Sequence, residues 1–207
     1  LMKSLVCGIS KLDFSNKNII FGYPLLIEMD KFKRLWPTAI LETLSYDAYM
    51  QQVQNAGIMK LDNFAQIKLY SANGNLYNYW IPMYINEEHF LRALEHIKNA
   101  ISVIRYDVRG VHTNDFRPDM VFEVLPCLMN KTIVHLMNGT VYHSRAAIQT
   151  YCNFLRLYLR LIKMFNLKES INKRVASFVQ NKSERDKKRT GDLGEFIINL
   201  FLSDYSY

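Results

Sequence analysis

Residues 116–165, FRPDMVFEVLPCLMNKTIVHLMNGTVYHSRAAIQTYCNFLRLYLRLIKMF, constrain the chain most, because they hold most of the material for a core. They read as two apolar helical segments joined at a glycine. Pro118 suits a first helical position, where its missing N–H costs no intrahelical bond and its φ is already near helical. Val121, Phe122, Val124, Leu125, Leu128 and Met129, then Ile133, Val134, Leu136 and Met137, recur at three- and four-residue steps, the spacing of a core-facing stripe. Pro126 lies inside this run. It removes one backbone donor and crowds the Phe122 carbonyl, which predicts a kink or two short helices. Asn138 and Gly139 supply a left-handed stop. Ser144 then caps a second helix to about Phe165. Its apolar face is Ala147, Ile148, Tyr151, Cys152, Leu155, Tyr158, Leu159 and Ile162; its wet face is Arg145, Gln149, Asn153, Arg156, Arg160 and Lys163. The expected product is an antiparallel helical pair.

Around this pair the chain has 207 residues, 49% of them hydrophobic, with 12 Phe and 13 Tyr, which is ample for a folded core. Arg156, Arg160 and Lys163 break the longest apolar run, so no membrane span is expected. The start lacks the pattern of a secretory signal, and a leading Leu with a terminal SDYSY reads as a piece of a longer polypeptide. Cys7, Cys127 and Cys152 lie far apart with no CxxC spacing. That argues against a disulfide framework or zinc site and for a reducing, intracellular setting, cytoplasmic or nuclear.

Ahead of the pair, residues 18–29, NIIFGYPLLIEM, read as a strand or strand pair bent at Gly22 and Pro24, with Pro24 at an edge or bulge. Trp36, Pro37 and Thr38 open a helix carrying Ile40, Leu41, Leu44 and Ala48, with Gly57 at its end, or Ser45 restarts it after a brief break. Residues 64–85 form a hairpin. Ala65, Ile67 and Leu69 alternate with polar neighbours, Asn73-Gly74 turns the chain, and Tyr77, Tyr79, Ile81, Met83 and Ile85 alternate on return. Pro82 argues for an edge strand or a bulge. Asn86 caps a helix with Glu87 and Glu88 in its first turn and Phe90, Leu91, Leu94, Ile97 and Ile101 as its stripe. The polar stretch 105–115 is the natural boundary. Beyond the central pair, Leu167, Ile171, Val175, Phe178 and Val179 mark another helix, and DLGEFIINLFL, too apolar for water, docks on the helical layer. The fold class is α+β and predominantly α: a mixed part, residues 1–106, with the hairpin and two helices, and an all-helical part, residues 107–207, or one continuous domain.

Chemistry is sparse. GxGxxG, GxxxxGK[ST], GxSxG and HExxH are all missing, and GDLGE at 191–195 has a helix-starting spacing unsuited to a phosphate. His89 and His96 are seven apart, about 10 Å along a helix, too far for one metal, and read as surface or cap residues. His112, with Asp115 and Arg117 in the boundary loop, is the one histidine placed where catalytic groups usually live, but no nucleophile accompanies it. Cys127 reads as a buried small hydrophobe. No cofactor or metal is implied.

Two binding surfaces compete with structural readings. The net charge is +7, and residues 163–189 carry nine cations against three acids. Lys173, Arg174, Lys182, Arg185, Lys187, Lys188 and Arg189 form a basic face that suits RNA, an acidic protein or anionic lipid, or simply a solvated helix end. Tyr77, Tyr79, Trp80 and Tyr84 are an aromatic surface candidate for stacking bases. No Lys or Arg lies between Asn73 and Glu88, so cross-strand or core packing weighs more.

The order PDMVFEVLPCLMNKTIVHLMNG, AAIQTYCNFLRLYLRLI and RDKKRTGDLGEFIINLFLS resembles a helical region of large multidomain proteins that also carry ubiquitin-conjugating (E2-type) folds. The similar positions are Asn130, Met137, Arg185, Lys187, Leu193, Gly194 and Glu195. The resemblance covers under half the chain and includes neither the His-Pro-Asn tripeptide nor the exposed cysteine of those enzymes, so it implies an accessory module. The expected function is a non-enzymatic protein–protein interaction or scaffold module, accessory to a ubiquitin-pathway assembly, with a protein or other domains of a larger chain as partner. RNA binding through residues 163–189 is the alternative, and an enzyme at the 105–118 loop the third.

Overall fold

The computed structural model describes residues 19–29, 35–40, 43–48, 66–70, 76–107, 115–138, 144–186 and 190–205. It is α+β with helix predominating. Five strands, β1 (Phe21–Met29), β2 (Leu35–Ile40), β3 (Leu44–Ser45), β4 (Gln66–Tyr70) and β5 (Leu76–Pro82), form one antiparallel sheet. Five helices follow: α1 (Glu87–Asp107), α2 (Val121–Met137), α3 (Ser144–Met164), α4 (Lys168–Gln180) and α5 (Leu193–Leu202). The path through the sheet is β2-β1-β5-β4, with β3 beside β2 on the same flank of β1.

The hairpin is present as β4 and β5; its turn lies outside the described residues. Other N-terminal expectations are corrected. Residues 35–40 are a strand and not a helix. β2 pairs with β1 through a bulge at Thr38, since Leu26 faces Ala39 and Ile27 faces Pro37. A proline and a β-branched residue fit an irregular edge strand as well as a helix start. Among the described residues of that segment 46–48 are helical, and Ser45 Oγ accepts from the Ala48 amide at 3.2 Å, the restart that Ser45 offered. β1 is one unbroken central strand despite Pro24. Phe21 turns its amide and carbonyl toward His89 and Met83, on the β5 side. Alternation therefore sends the Pro24 backbone the other way, between β3 at Gly22 and β2 at Leu25, where no ladder donor is needed. β5 is likewise central, and Pro82 simply ends it.

The sheet has two different faces. Tyr23, Leu25, Ile27, Tyr79 and Ile81 enter the main core with the helices. The opposite face carries Gly22, Pro24 and Trp80. A β-carbon at Gly22 would run into the Trp80 ring and the Ile81 carbonyl, so only glycine lets the indole lie this close. Tyr46 covers the indole with its ring centroid 5.8 Å away, and His96 stacks on Tyr46 at 5.9 Å.

Asn86 caps α1, its Oδ1 accepting from the His89 amide at 2.8 Å. The buried stripe is Phe90, Ala93, Ile97, Ala100, Ile101 and Ile104, while Leu91 points outward. α1 continues through Asp107, and the buried Arg105 pairs with Glu123 of α2. α2 is not split at Pro126: residues on both sides of it, Val121 to Leu125 and Cys127 to Met129, are buried and hold the axis. Asn138 ends the helix with φ −79 and ψ 0 and is not left-handed; Gly139 lies outside the described residues.

α3 packs antiparallel to α2, with Phe122 near the start of one edge-on to Tyr158 near the end of the other. Its rotation differs from the expected one. Ala147, Phe154, Leu157, Tyr158 and Leu161 are buried, whereas Ile148 and Leu159 are exposed. Asn153, expected in water, is buried and donates to the Tyr23 hydroxyl at 2.6 Å, tying α3 to β1. Asn166, at φ 53, terminates α3 in the left-handed region that Asn tolerates, and α4 starts two residues later. α5 docks on α2 and α4 as its composition required. Most buried apolar side chains among the described residues form one cluster from Tyr23 on β1 to Ile198 on α5.

Candidate functional site

The basic face is partly built into the fold. Arg174 lies over the Phe122 ring at 5.0 Å. Arg185 lies over Phe178 and donates to the carbonyls of Phe178 and Val179 at 3.0 and 2.7 Å, capping the end of α4. Lys173 is 3.8 Å from Glu169 one turn away. Lys182 is exposed on a 3-10 turn, and Lys187, Lys188 and Arg189 lie outside the described residues.

The aromatic candidates are largely interior. Tyr79 and Trp80 are 7% and 0% exposed and offer no face to a base. Tyr84 packs on Phe90 with centroids 5.9 Å apart, and the Tyr77 side chain lies outside the described set. Adjacent strand residues point to opposite faces, so both Tyr79 and Trp80 are buried only because both faces are covered at that point.

At the loop, His112 lies outside the described residues. Asp115 and Arg117 are exposed; Arg117 pairs with Asp119 at 3.3 Å and the Asp115 carbonyl accepts from Tyr106 Oη at 3.1 Å. Cys127 is buried and Cys152 half-buried. Among the described residues, no group of three His, Cys, Asp or Glu side chains is placed to hold a metal ion. No helix among them is long and apolar enough to cross a membrane.

His89 departs from its surface reading. It is 2% exposed, and its Nε2 accepts from the Phe21 amide at 3.0 Å. The proton of the neutral ring therefore sits on Nδ1, which is buried with no hydrogen-bond partner. Burial, helped by the nearby Arg92 charge, lowers its pKa from 6.5 to about 4. No sequence signal separates such a ring from a surface histidine, since the polar neighbours of an N-terminal helical turn look the same in both cases.

A cleft of about 210 Å³ lies between α4, the turn after it and α5. Its polar lining is already engaged. Thr190 Oγ1 donates to the Glu184 carbonyl. Asn199 accepts from Tyr158 Oη at 2.5 Å and donates to the Glu195 carbonyl at 3.1 Å. Gly191 at φ 81 leads into the capping box of Asp192 and Glu195, the helix-starting turn that GDLGE suggested. Gly194 lies against the Asn130 side chain. Of the positions carrying the sequence resemblance, Asn130 and Gly194 thus bring α2 and α5 together, while Arg185 caps α4 and Glu195 closes the start of α5.

No protein-family model, no curated protein and no solved structure matches the chain.

Outside the core, apolar side chains stand in rows. On α5, Leu193, Ile197 and Phe201 follow at four-residue steps, 72%, 38% and 84% exposed. On α3, exposed Ile148 and Leu159 bracket half-buried Cys152 and Leu155. Exposed Gln149, Arg156 and Lys163 run alongside them at seven-residue steps. Arg160 is drawn aside: its guanidinium forks onto the Glu87 carboxylate, with Nε 2.8 Å from Oε2, and covers the Phe90 ring. That pairing lowers the Glu87 pKa and raises the Arg160 pKa.

Proposed function

We propose that this chain is a non-enzymatic protein-interaction or scaffold module. The supporting observation is the outward row on α5. Single exposed apolar residues are ordinary, whereas a row at helical spacing makes a patch whose coverage is favourable, at about 1.5–3 kcal/mol for each large side chain removed from water. Met137 on α2, 80% exposed, is a further large apolar side chain in water. The wider placement, an accessory part of a ubiquitin-pathway assembly, rests on the C-terminal sequence resemblance alone.

The test is photocrosslinking. A benzophenone amino acid replacing Phe201 in the full chain is expected to capture a protein that, once purified, binds the unmodified chain and binds Leu193→Ser/Phe201→Ser at least tenfold more weakly. No adduct above that from a probe at exposed Gln180, or equal binding by the double variant, refutes the proposal.

A further inference from the structure

We infer that the outward face of α3 is a docking surface for an amphipathic helix of a partner protein, with carboxylates along one flank of that helix's apolar side. This rests on the protein-interaction reading and names the chemistry of one partner.

Two parallel rows define the surface. At 100° per residue, Ile148, Cys152, Leu155 and Leu159 fall within one narrow sector of α3, and Gln149, Arg156 and Lys163 fall in the sector beside it. The apolar row runs about 16 Å, three helical turns, and the row beside it about 21 Å, four turns. Ile148 is 51% and Leu159 44% exposed, and Arg156 and Lys163 are exposed. An apolar row bordered by a cationic row is the complement of a helix with anchors at i, i+4, i+7 and i+11 and Glu or Asp beside them.

Charge decides among occupants. None of the 21 residues of α3 is acidic. A basic helix would therefore meet repulsion at Arg156, and an uncharged one would leave that cation partly desolvated without a counter-charge. The neighbouring acid, Glu87 of α1, is held by Arg160. Lys163 reaches the field of Glu87, which leaves Arg156 as the dominant selector. The core side of the helix is separately satisfied through Phe154, Leu157, Tyr158 and Leu161, with Leu155 packed against the edge of the core, so Ile148 and Leu159 are surplus to folding.

The experiment is a display selection on the full chain, using helical peptides of about 20 residues with a fixed leucine row and flanking positions randomised among Glu, Lys, Gln and Ser. Enrichment of Glu is expected on one flank. The selected peptide should slow alkylation of Cys152, read on its own proteolytic fragment by mass spectrometry, at least fivefold. Arg156→Glu and Leu159→Asp should each weaken binding about tenfold, with circular dichroism unchanged, while Phe201→Ser has no effect. Enrichment of Lys, no enrichment, or binding without protection of Cys152 overturns the inference. Binding to phosphatidylserine vesicles that Arg156→Glu abolishes, with no peptide selected, overturns it in favour of a membrane surface. If the inference fails while the probe at residue 201 still captures a binding protein, the interaction module stands without this partner; if both fail, neither stands.

Discussion

Protonation of His89 should loosen the joint between β1 and α1. In the folded chain the neutral ring accepts from the Phe21 amide and stacks beside the Phe21 ring, with centroids 6.3 Å apart. An imidazolium would turn a second N–H toward that amide and place a charge in an apolar site near Arg92. The folded pKa is depressed, so the unfolded chain takes up the proton more readily. Stability from this group is whole above pH 6.5 and is lost as pH falls from 6.5 to about 4. That span corresponds to about 3 kcal/mol, of which about 2 kcal/mol falls within the pH range of the assay below. The assay is urea unfolding followed by far-ultraviolet circular dichroism at about pH 7.5 and about pH 4.5. His89→Gln offers an amide oxygen to Phe21 without a titrating ring. Glu87, Glu88, Arg92 and Arg160 are common to both proteins, so the difference between their pH dependences isolates His89. The wild type should lose about 2 kcal/mol more than His89→Gln between the two conditions. Equal slopes, or a His89 ring titrating above pH 6 by NMR, would refute the reasoning.

Other substitutions follow from close contacts. Gly22→Ala should cost at least about 2 kcal/mol in chemical unfolding, since the new carbon meets a backbone carbonyl and a rigid indole. Gly194→Ala should stay within about 1 kcal/mol of wild type: the Asn130 amide can rotate away, and alanine favours the helix. Tyr158→Phe should cost about 1–3 kcal/mol by leaving the buried Asn199 oxygen without its donor, and adding Asn199→Leu should recover part of this, measured by thermal melts. Its phenol pKa is raised by burial, so no loss from its ionisation is expected below pH 10. Should RNA be the partner instead, binding of a mixed-sequence oligonucleotide would fall steeply between low and moderate salt and vanish on charge reversal at Lys187, Lys188 and Arg189; no binding at low salt removes that reading.

Periodicity, caps and composition by themselves determined the helices from residue 87 onward, the hairpin strands and the docking of the last helix. Those signals are local: Asn86 caps α1 whatever α1 packs against, and an apolar segment such as FIINLFL must find cover. They did not determine residues 35–40, where Trp36, Pro37 and Thr38 fit a helix start or a bulged edge and only the β1 partner chooses. Nor did they set how α3 is turned. Its sequence is apolar around more than half its circumference, so several rotations bury similar area. The choice falls to directional contacts from elsewhere: Tyr23 reaching Asn153 and Phe154, and Asn199 reaching Tyr158. Those contacts bring Leu157 and Leu161 inward and leave Ile148 and Leu159 beside Arg156 in water. Which side of α3 meets water was therefore decided by tertiary packing, because hydrophobicity specifies how much is buried and hydrogen bonds and shape specify which side.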